Sequence, residues 1–429
     1  MKRGSKPEGK LAILVGGGPA PGINGVIGAA AIEAINNGLE VVGLYDGFKW
    51  LSRGDTSHTT ILTVEQAIDT RMRGGSILNT SRENPTKQEA KMQNVVKALQ
   101  QLGVRYLITI GGDDTAFSAS KTSEYAAGSI KVAHVPKTID NDLPLPGNMP
   151  TFGYQTARVV GAGLVSNLLE DARTSRRWYV VVAMGRSAGH LALGIASAAG
   201  ASLALIPEEF NSQKVSLNLL CEIIEGAMIK GQAAGRDHGV AVLAEGIAEL
   251  MKEELKQHPL VVVDYDEHGN FRLAEVPLSL IMKRMLQDRA KERGEKLTFV
   301  DSTIGYELRC ADPIAFDREY TTELGWGAVH YLLQIGEKHL TGVGAMISVQ
   351  AGEVVPIPFT DILDPDTGRT TVRRVNTDSD QYRCVRSFMT RLEQEDLQDA
   401  KQLAKLAAAA GLSPEEFKQK YAAAAGINT

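Results

Sequence analysis

Residues 106–114 read YLITIGGDD, and residues 130–142 read IKVAHVPKTIDND. Each stretch begins with a short run of mostly apolar residues, which is typical of a buried strand. The first run is followed by two glycines and two aspartates, and the second by a lysine and two further aspartates. Because ligands of an open α/β sheet bind beyond the carboxyl ends of its strands, the two stretches predict a ligand site at one edge of a parallel sheet.

The same alternation of strands and helices extends in both directions along the chain. Apolar runs predict further strands at 11–15, 41–44, 178–183, 202–206 and 239–243. Helical spacing predicts helices at 23–35, 87–102, 158–171, 190–199, 282–293 and 323–336, and further helices in the alanine-, lysine- and glutamate-rich segment 392–429. Hairpins are expected at 261–273 and 344–358. The pattern predicts an α/β fold with a doubly wound parallel sheet, and a second such unit after residue 151.

Composition sets the broad class of protein. The chain has 429 residues, of which 43% are hydrophobic and 23% charged, which is ordinary for a globular protein with more than one domain. The net charge is −5 and no basic block stands out, so neither a nucleic-acid partner nor a membrane surface is expected. Three widely spaced cysteines argue against a disulfide framework or a zinc cluster, and no signal peptide is recognisable. A cytoplasmic location is the expectation.

A glycine-rich loop follows the first predicted strand. Residues 16–22 read GGGPAPG and lead into a helix, where exposed backbone amides and the helix dipole attract anions. The spacing matches neither the dinucleotide fingerprint nor the P-loop. The alternative is that the glycines serve only to form a tight turn.

The acidic residues suggest metal binding and proton transfer. A carboxylate at Asp113 or Asp114 can hold Mg²⁺, although an Asx turn or a helix cap would use the same residues. Within TIDND, a carboxylate can take a proton from a sugar hydroxyl while Lys137 neutralises phosphate charge. The alternative there is a solvated acidic loop with a surface lysine. Together the residues indicate phosphoryl transfer.

Several arginines near strand ends could bind phosphate oxygens through their guanidinium groups: Arg82, Arg177, Arg186 and Arg309. Any one of them alone is better explained as a solvated surface residue, and the four together carry the argument. Glu245 ends a predicted strand and could accept hydrogen bonds from sugar hydroxyls, or it could cap a helix.

With these segments in order, the sequence resembles the phosphofructokinase family. The resemblance rests on GGGPAPGIN, NTSR, GGDDT, PKTIDND, FGYQTA, MGRSAGH, AEG and GYELR, and it covers residues 11–312. At positions 114 and 137, the aspartate and the lysine of this chain resemble the residues of the pyrophosphate-dependent branch. ATP-dependent bacterial members usually carry glycine in place of Asp114. A carboxylate at that position would repel the α-phosphate of a nucleotide, so these two residues are expected to determine donor specificity.

The resemblance implies a Mg²⁺-dependent, reversible transfer of a phosphoryl group from inorganic diphosphate to the 1-hydroxyl of fructose 6-phosphate, in glycolysis and gluconeogenesis. It implies two Rossmann-like lobes with the active site in the cleft between them. The expected boundaries are 8–152 with 307–375 for the diphosphate lobe, 153–306 for the sugar-phosphate lobe, and 376–429 for a C-terminal helical extension. A homodimer or homotetramer with shared active sites is implied.

The resemblance also implies roles for individual residues, with Asp140 as the base that accepts the proton. The catalytic residues are Asp140, Asp142 and Arg186, and the metal is held by Asp113. Diphosphate is bound by Gly18, Arg82, Asp114 and Lys137. Fructose 6-phosphate is bound by Thr138, Ile139, Asp140, Arg177, Met184, Gly185, Arg186, Glu245, Tyr306, Glu307, Leu308 and Arg309, with Arg177 reaching the 6-phosphate across a subunit interface.

Two positions depart from the family pattern. An arginine that often reaches across the interface is replaced by Val300, so the 6-phosphate must be bound by other residues. Gly28 and Ile32 stand where allosteric bacterial enzymes carry effector-binding arginines, so control by nucleotides is not expected. An ATP-dependent phosphofructokinase and a non-catalytic sugar-phosphate-binding subunit are the alternative functions.

Overall fold

The computed structural model describes residues 7–210, 215–264, 275–334, 344–362 and 371–427. The strands are β1 Lys10–Val15, β2 Glu40–Leu44, β3 Thr59–Ile61, β4 Val104–Gly111, β5 Lys131–Pro136, β6 Trp178–Ala183, β7 Leu203–Leu205, β8 Gly239–Ala244, β9 Phe299–Ile304, β10 Ala345–Gln350 and β11 Glu353–Pro358. The helices are α1 Ile23–Asn36, α2 Val64–Thr70, α3 Glu89–Gln101, α4 Asp113–Ala126, α5 Tyr154–Ser175, α6 His190–Ala199, α7 Leu217–Ala233, α8 Ile247–Leu250, α9 Lys252–Lys256, α10 Leu278–Glu292, α11 Tyr306–Arg309, α12 Ala315–Leu333, α13 Phe359–Ile362, α14 Asp380–Ser387, α15 Gln394–Gln398, α16 Ala400–Ala410 and α17 Pro414–Tyr421.

The chain forms two compact units, each built from two separate segments. The first unit consists of Met1–Ala157 and Tyr306–Arg373, and the second of Arg158–Gly305 and Arg374–Thr429. Strands alternate with helices in both units, which confirms the predicted α/β class.

The first unit contains a seven-stranded sheet in the order β11-β10-β5-β4-β1-β2-β3. Its central strands are parallel, while the edge strands β3 and β11 run antiparallel to their neighbours. From β1 the chain moves to β2 on one side and then returns to β4 on the other. The carboxyl ends of β1 and β4 therefore border the kind of crevice in which α/β proteins bind ligands. Because β4 pairs directly with β5, the two motifs predicted to meet do follow adjacent strands.

Helices α1 and α12 pack closely over this sheet. A Cβ added to Gly25 would lie 2.3 Å from the hydroxyl oxygen of Thr321, and one added to Gly325 would lie 2.7 Å from the carbonyl oxygen of Val26. Glycine at both positions thus allows the two helix backbones to approach. The sequence predicted that α12 starts at residue 323, which was wrong, since this helix begins at Ala315. Its first turns bury a carboxylate and hydroxyl groups, so they lack the apolar spacing on which the prediction relied.

The second unit contains a four-stranded parallel sheet in the order β7-β8-β6-β9. Its apolar core includes Trp178 of β6 and much of α7. The C-terminal segment contributes to the same core through Leu392, Leu397, Leu406, Phe417 and Tyr421. Burying a large apolar side chain stabilises a fold by about 1.5–3 kcal/mol, so the last helices add substantially to the stability of this unit.

Two hairpins were expected from the sequence. The antiparallel pair β10–β11 confirms the one at 344–358. Of the other, 261–264 carries no regular secondary structure, and 265–273 lies outside the described residues. None of the helices in the described ranges combines the length and the apolar character needed to cross a membrane.

Candidate active site

The glycine loop after β1 lies beside cationic side chains. Gly17 has a φ of 79°, in the left-handed region that favours glycine, and its N–H donates to the Ser81 carbonyl oxygen at 2.8 Å. A Cβ added to Gly17 would lie 3.5 Å from Lys137 Nζ, and one added to Gly18 would lie 3.4 Å from Arg309 Cζ. The sequence predicts that this loop binds an anion, and two positively charged side chains lie next to it.

Lys137 links the end of β5 to this loop. Its side chain is 4% exposed, its ammonium group donates a hydrogen bond to the Gly18 carbonyl oxygen, and its backbone N–H donates to the Gly111 carbonyl oxygen at 2.8 Å. The pKa of Lys137 is lowered to about 8, mainly by burial and also by the charges of Arg309 and Arg82, while Asp140 and Asp142 act in the opposite direction. The buried Lys137 ammonium therefore interacts with the charges of the half-buried Arg309 and the exposed Arg82, which favours an anionic ligand.

The GGDD motif joins β4 to α4. Gly112 is the N-cap residue, so Asp113 and Asp114 occupy the first turn of the helix rather than the cap position, and both are exposed. A Cβ added to Gly111 would lie 2.3 Å from Thr115 Cβ, which explains the need for glycine at the strand end. The helix dipole favours negative charge in the first turn, which is where both aspartates lie.

The TIDND turn after β5 is organised by its own threonine. The Thr138 hydroxyl accepts a hydrogen bond from the Asp140 backbone N–H at 3.0 Å, and its effect on the Asp142 carboxyl is to lower the pKa of that group. Between the two acids, Asn141 has a φ of 57°, which asparagine tolerates better than most residues. Thr138 therefore interacts with both carboxylate-bearing residues of the turn.

The carboxylates of Asp142 and Asp113 interact through their charges. The pKa of the Asp142 carboxyl is raised by burial and, secondly, by the charge of Asp113. A cation near both would relieve this repulsion, and oxygen ligands are what Mg²⁺ prefers. The described residues hold no group of three or more His, Cys, Asp or Glu side chains suited to a metal. Mg²⁺ is usually bound through one or two carboxylates together with substrate phosphates.

The GYELR motif forms the short helix α11. The guanidinium of Arg309 lies over the Tyr306 ring, 4.9 Å from its centroid, and both Tyr306 and Glu307 are exposed. The predicted substrate residues Leu308 and Ile139 are instead buried, with 0% and 5% of their surface exposed. These two side chains pack in the interior, so only their backbone groups can contact a ligand.

In the second unit, the predicted sugar-phosphate residues meet at the carboxyl ends of β6 and β8. The Gly185 N–H donates to the Glu245 carboxylate at 3.3 Å, and the Gly246 N–H donates to the Gly185 carbonyl oxygen at 3.1 Å. Gly185 has a φ of 138°, which requires glycine. Met184 precedes this turn, and Arg186 follows it with an exposed side chain.

Arg177 is not part of this cluster. It immediately precedes β6, whereas Met184 and Arg186 follow that strand, so the length of β6, roughly 20 Å, separates them. Its guanidinium pairs with the Asp171 carboxylate at 3.7 Å. Within one chain, Arg177 therefore cannot bind the ligand that the end of β6 would bind.

The positions that depart from the family pattern are packing positions. Val300 lies on β9 in parallel register with Tyr179 of β6. A Cβ added to Gly28 would lie 2.8 Å from Arg71 Cβ and 3.0 Å from the Ala67 carbonyl oxygen, so a larger side chain does not fit there. Ile32 packs against the apolar core of the first unit.

Sequence reasoning missed two residues that support the motifs. His134, buried in β5, contacts the Gly111 carbonyl oxygen at 3.1 Å and the Thr109 hydroxyl at 2.8 Å, and burial lowers its pKa to about 3. A neutral ring that donates to the carbonyl fits both contacts, and a polar residue within an apolar run could have signalled it. Arg373 donates hydrogen bonds to Asn141 and Met149, but it lies far along the chain and outside any motif.

Comparison with known proteins agrees with these observations. Residues 10–332 match the profile described as phosphofructokinase. Proteins named pyrophosphate–fructose 6-phosphate 1-phosphotransferase from Thermotoga maritima and Naegleria fowleri are 55% and 48% identical, and each alignment covers 96% of this chain, with 98% and 94% of the relative. The crystal structure of Pichia pastoris phosphofructokinase in the T-state superposes with a TM-score of 0.65 at 21% identity, over 97% of this chain and 39% of that longer one.

Proposed function

Because this chain belongs to the phosphofructokinase family, we propose that it transfers a phosphoryl group from inorganic diphosphate to the 1-hydroxyl of fructose 6-phosphate. The products are fructose 1,6-bisphosphate and phosphate. Two relatives with this activity in their names align along almost their whole length at 55% and 48% identity, which supports the proposal. The reaction serves glycolysis in this direction and gluconeogenesis in reverse.

The observation that carries the choice of donor is the position of Lys137. Its buried ammonium lies beside the open glycine loop and shares that place with Arg82 and Arg309. Diphosphate is small and highly charged, so a compact cluster of cations suits it. Asp114 adds an exposed negative charge in the first turn of α4, which disfavours the α-phosphate of a nucleotide.

In the proposed mechanism Asp140 takes the proton of the 1-hydroxyl as the oxygen attacks the terminal phosphorus of diphosphate. Thr138 and Asp142 hold the turn that carries this carboxylate. Lys137, Arg82 and Gly18 bind the diphosphate and offset the charge on its oxygens as the bond to the leaving phosphate breaks. General base catalysis of this kind contributes about 10²–10⁴ in rate.

We assign Mg²⁺ to Asp113. An ion bound there would also interact with the charge of the Asp142 carboxylate. When bound, the ion would neutralise phosphate charge and orient the donor. The repulsion between these two carboxylates supports the assignment, because a cation removes it.

In the second unit, the sugar phosphate is assigned to the glycine turn at the end of β6 together with Glu245. In the first unit, the residues of α11 are separate candidates for sugar-phosphate binding. Arg186, as a catalytic residue, would interact with the transferring group and the sugar phosphate. Arg177 is proposed to reach the 6-phosphate of a neighbouring subunit, because its own chain holds it at the opposite end of β6. A homodimer or homotetramer follows from that assignment. The three cysteines are free thiols, which supports the expected cytoplasmic location.

The test is an assay of the purified chain with fructose 6-phosphate and, in parallel, diphosphate, ATP or ADP as donor. We expect turnover with diphosphate, loss of turnover on adding a chelator, recovery with Mg²⁺, and a reverse reaction from fructose 1,6-bisphosphate and phosphate. Faster turnover with ATP would point to an ATP-dependent enzyme. Sugar-phosphate binding without turnover with any donor would point to a non-catalytic subunit, and either result would reject the proposal.

A further inference from the structure

Arg373 holds the turn that carries Asp140 and Asp142. Its Nε donates a hydrogen bond to the Asn141 carbonyl oxygen at 3.0 Å, its Nη2 donates to the Asn141 Oδ1, and its Nη1 donates to the Met149 carbonyl oxygen at 2.8 Å. Its backbone N–H donates to the Asp142 carbonyl oxygen at 2.7 Å. One residue thus contacts the turn from both its side chain and its backbone.

The turn needs such support. Asn141 has a left-handed backbone conformation, which asparagine adopts at some cost, and it lies between the two aspartates of the turn. Thr151 also holds the turn through two hydrogen bonds. Its N–H donates to the Asn141 Oδ1 at 3.0 Å, and its hydroxyl donates to the Thr138 carbonyl oxygen at 2.7 Å. The Asn141 side chain is therefore held between Thr151 and Arg373.

Only an arginine side chain can make this set of contacts. Its planar guanidinium presents several donors in a fixed arrangement, so the backbone oxygen and the side-chain oxygen of Asn141 are bound together. A lysine at position 373 would keep the charge but would offer a single ammonium at the end of a flexible chain. Substitution by lysine therefore keeps the positive charge but removes the arrangement of donors that the guanidinium provides, so the two contributions can be distinguished.

We infer that Arg373 is a positioning residue for phosphoryl transfer, which fixes the turn so that the Asp140 carboxylate is oriented to accept the proton. The inference rests on the proposed function, in which Asp140 is the base. The side chain of Arg373 donates to protein oxygens of the turn. Its loss should therefore slow the chemical step and leave the binding of both substrates nearly intact.

The experiment compares R373K and R373A with wild type and with the control variant R374A. Arg374 is the next residue in the chain, and its side chain is exposed. The measurements are kcat, the KM for fructose 6-phosphate and for diphosphate, and the thermal midpoint. We expect kcat to fall by about 10²-fold in R373A and about tenfold in R373K, since small misplacements of a catalytic group have effects of this size. Both KM values should change less than about threefold, and added guanidinium should restore part of the R373A turnover.

A double-mutant comparison provides the second test, and it does not depend on the folding of R373A. N141G keeps the left-handed backbone accessible but removes the Oδ1 that accepts from Arg373. If Arg373 acts through this contact, N141G lowers kcat as well, and the loss in N141G/R373K is smaller than the product of the two single losses.

Three results would overturn the inference: unchanged kcat in folded R373K, an increase in KM with kcat preserved, or independent effects in the double mutant. Failure of the proposed function is recognised separately, because wild type and R374A would then show no turnover with diphosphate.

Discussion

The ammonium group of Lys137 donates a hydrogen bond to the backbone carbonyl of Gly18, so the end of β5 is tied to the glycine loop after β1. The two residues are 119 positions apart in the chain. The contact places a buried cation where backbone amides are open, and three positive side chains share the neighbourhood. A buried cation beside other positive side chains is unfavourable until an anion joins it.

Diphosphate use should depend on the charge of Lys137. Burial and nearby arginines lower the pKa of this lysine to about 8, so it is protonated below that pH and loses its charge above it. We therefore expect kcat/KM for diphosphate to fall as the pH rises through about 8. The measurement is a pH profile of kcat/KM, which reports the ionisation of the free enzyme.

The matched variant is K137R, because arginine keeps its charge throughout the accessible range. The titration of diphosphate itself affects both enzymes equally, so the ratio of their profiles isolates the lysine. An alkaline decrease that is the same in K137R and in wild type would contradict the prediction.

Replacement of Asp140 by asparagine should abolish most turnover. The substitution keeps the shape of the side chain but removes the base, so kcat is expected to fall by about 10²–10⁴. Calorimetric titration should show that fructose 6-phosphate still binds, with a Kd close to that of wild type. D288N, at an exposed carboxylate on α10, serves as the control. Turnover near the control value in D140N would exclude Asp140 as the base.

Removal of the Asp114 carboxylate should improve the use of ATP. A like-charge repulsion of about 1 kcal/mol at an exposed site corresponds to roughly a fivefold change in kcat/KM. We therefore expect D114G to increase the ratio of kcat/KM for ATP to that for diphosphate by about this factor. E124A, at an exposed residue of the same helix α4, provides the comparison. A ratio unchanged from wild type would show that Asp114 does not select the donor.

The stability of the first unit should depend on Asp317. This fully buried carboxylate accepts hydrogen bonds from the Gly153 N–H at 2.9 Å and the Thr156 N–H at 2.8 Å, and also from the Thr156 hydroxyl. D317A would leave buried donors without acceptors, at about 1–3 kcal/mol for each. We expect a clear decrease in the thermal midpoint of D317A.

The control for that measurement lies on the same helix. Thr322 of α12 is partly exposed and its hydroxyl donates to the Arg318 carbonyl oxygen one turn earlier, so T322A should melt within a few degrees of wild type. Equal midpoints for D317A and T322A would mean that the buried carboxylate is not needed to hold the start of α5.

Local sequence patterns were sufficient to predict most of the elements. Trp178–Ala183 and His190–Ala199 were predicted to the residue, because a continuous apolar run and a glycine turn set their limits. The start of α12 was missed, since its first turns bury Asp317 and Thr321 against other segments rather than an apolar stripe. A pattern search cannot recognise a polar residue whose hydrogen-bond partners lie more than a hundred positions away.

The sequence by itself determined the α/β class and the order of the strands' functional motifs, since apolar runs and the glycines and acids that follow them are properties of neighbouring residues. Only the tertiary structure decided which motifs meet. It brought Lys137 to Gly18, clamped Asn141 with Arg373, and left Arg177 a full strand length from Arg186. The reason is physical: hydrogen bonds and charge interactions act over a few ångströms of space, and the separation of two residues along the chain does not determine their distance in the fold.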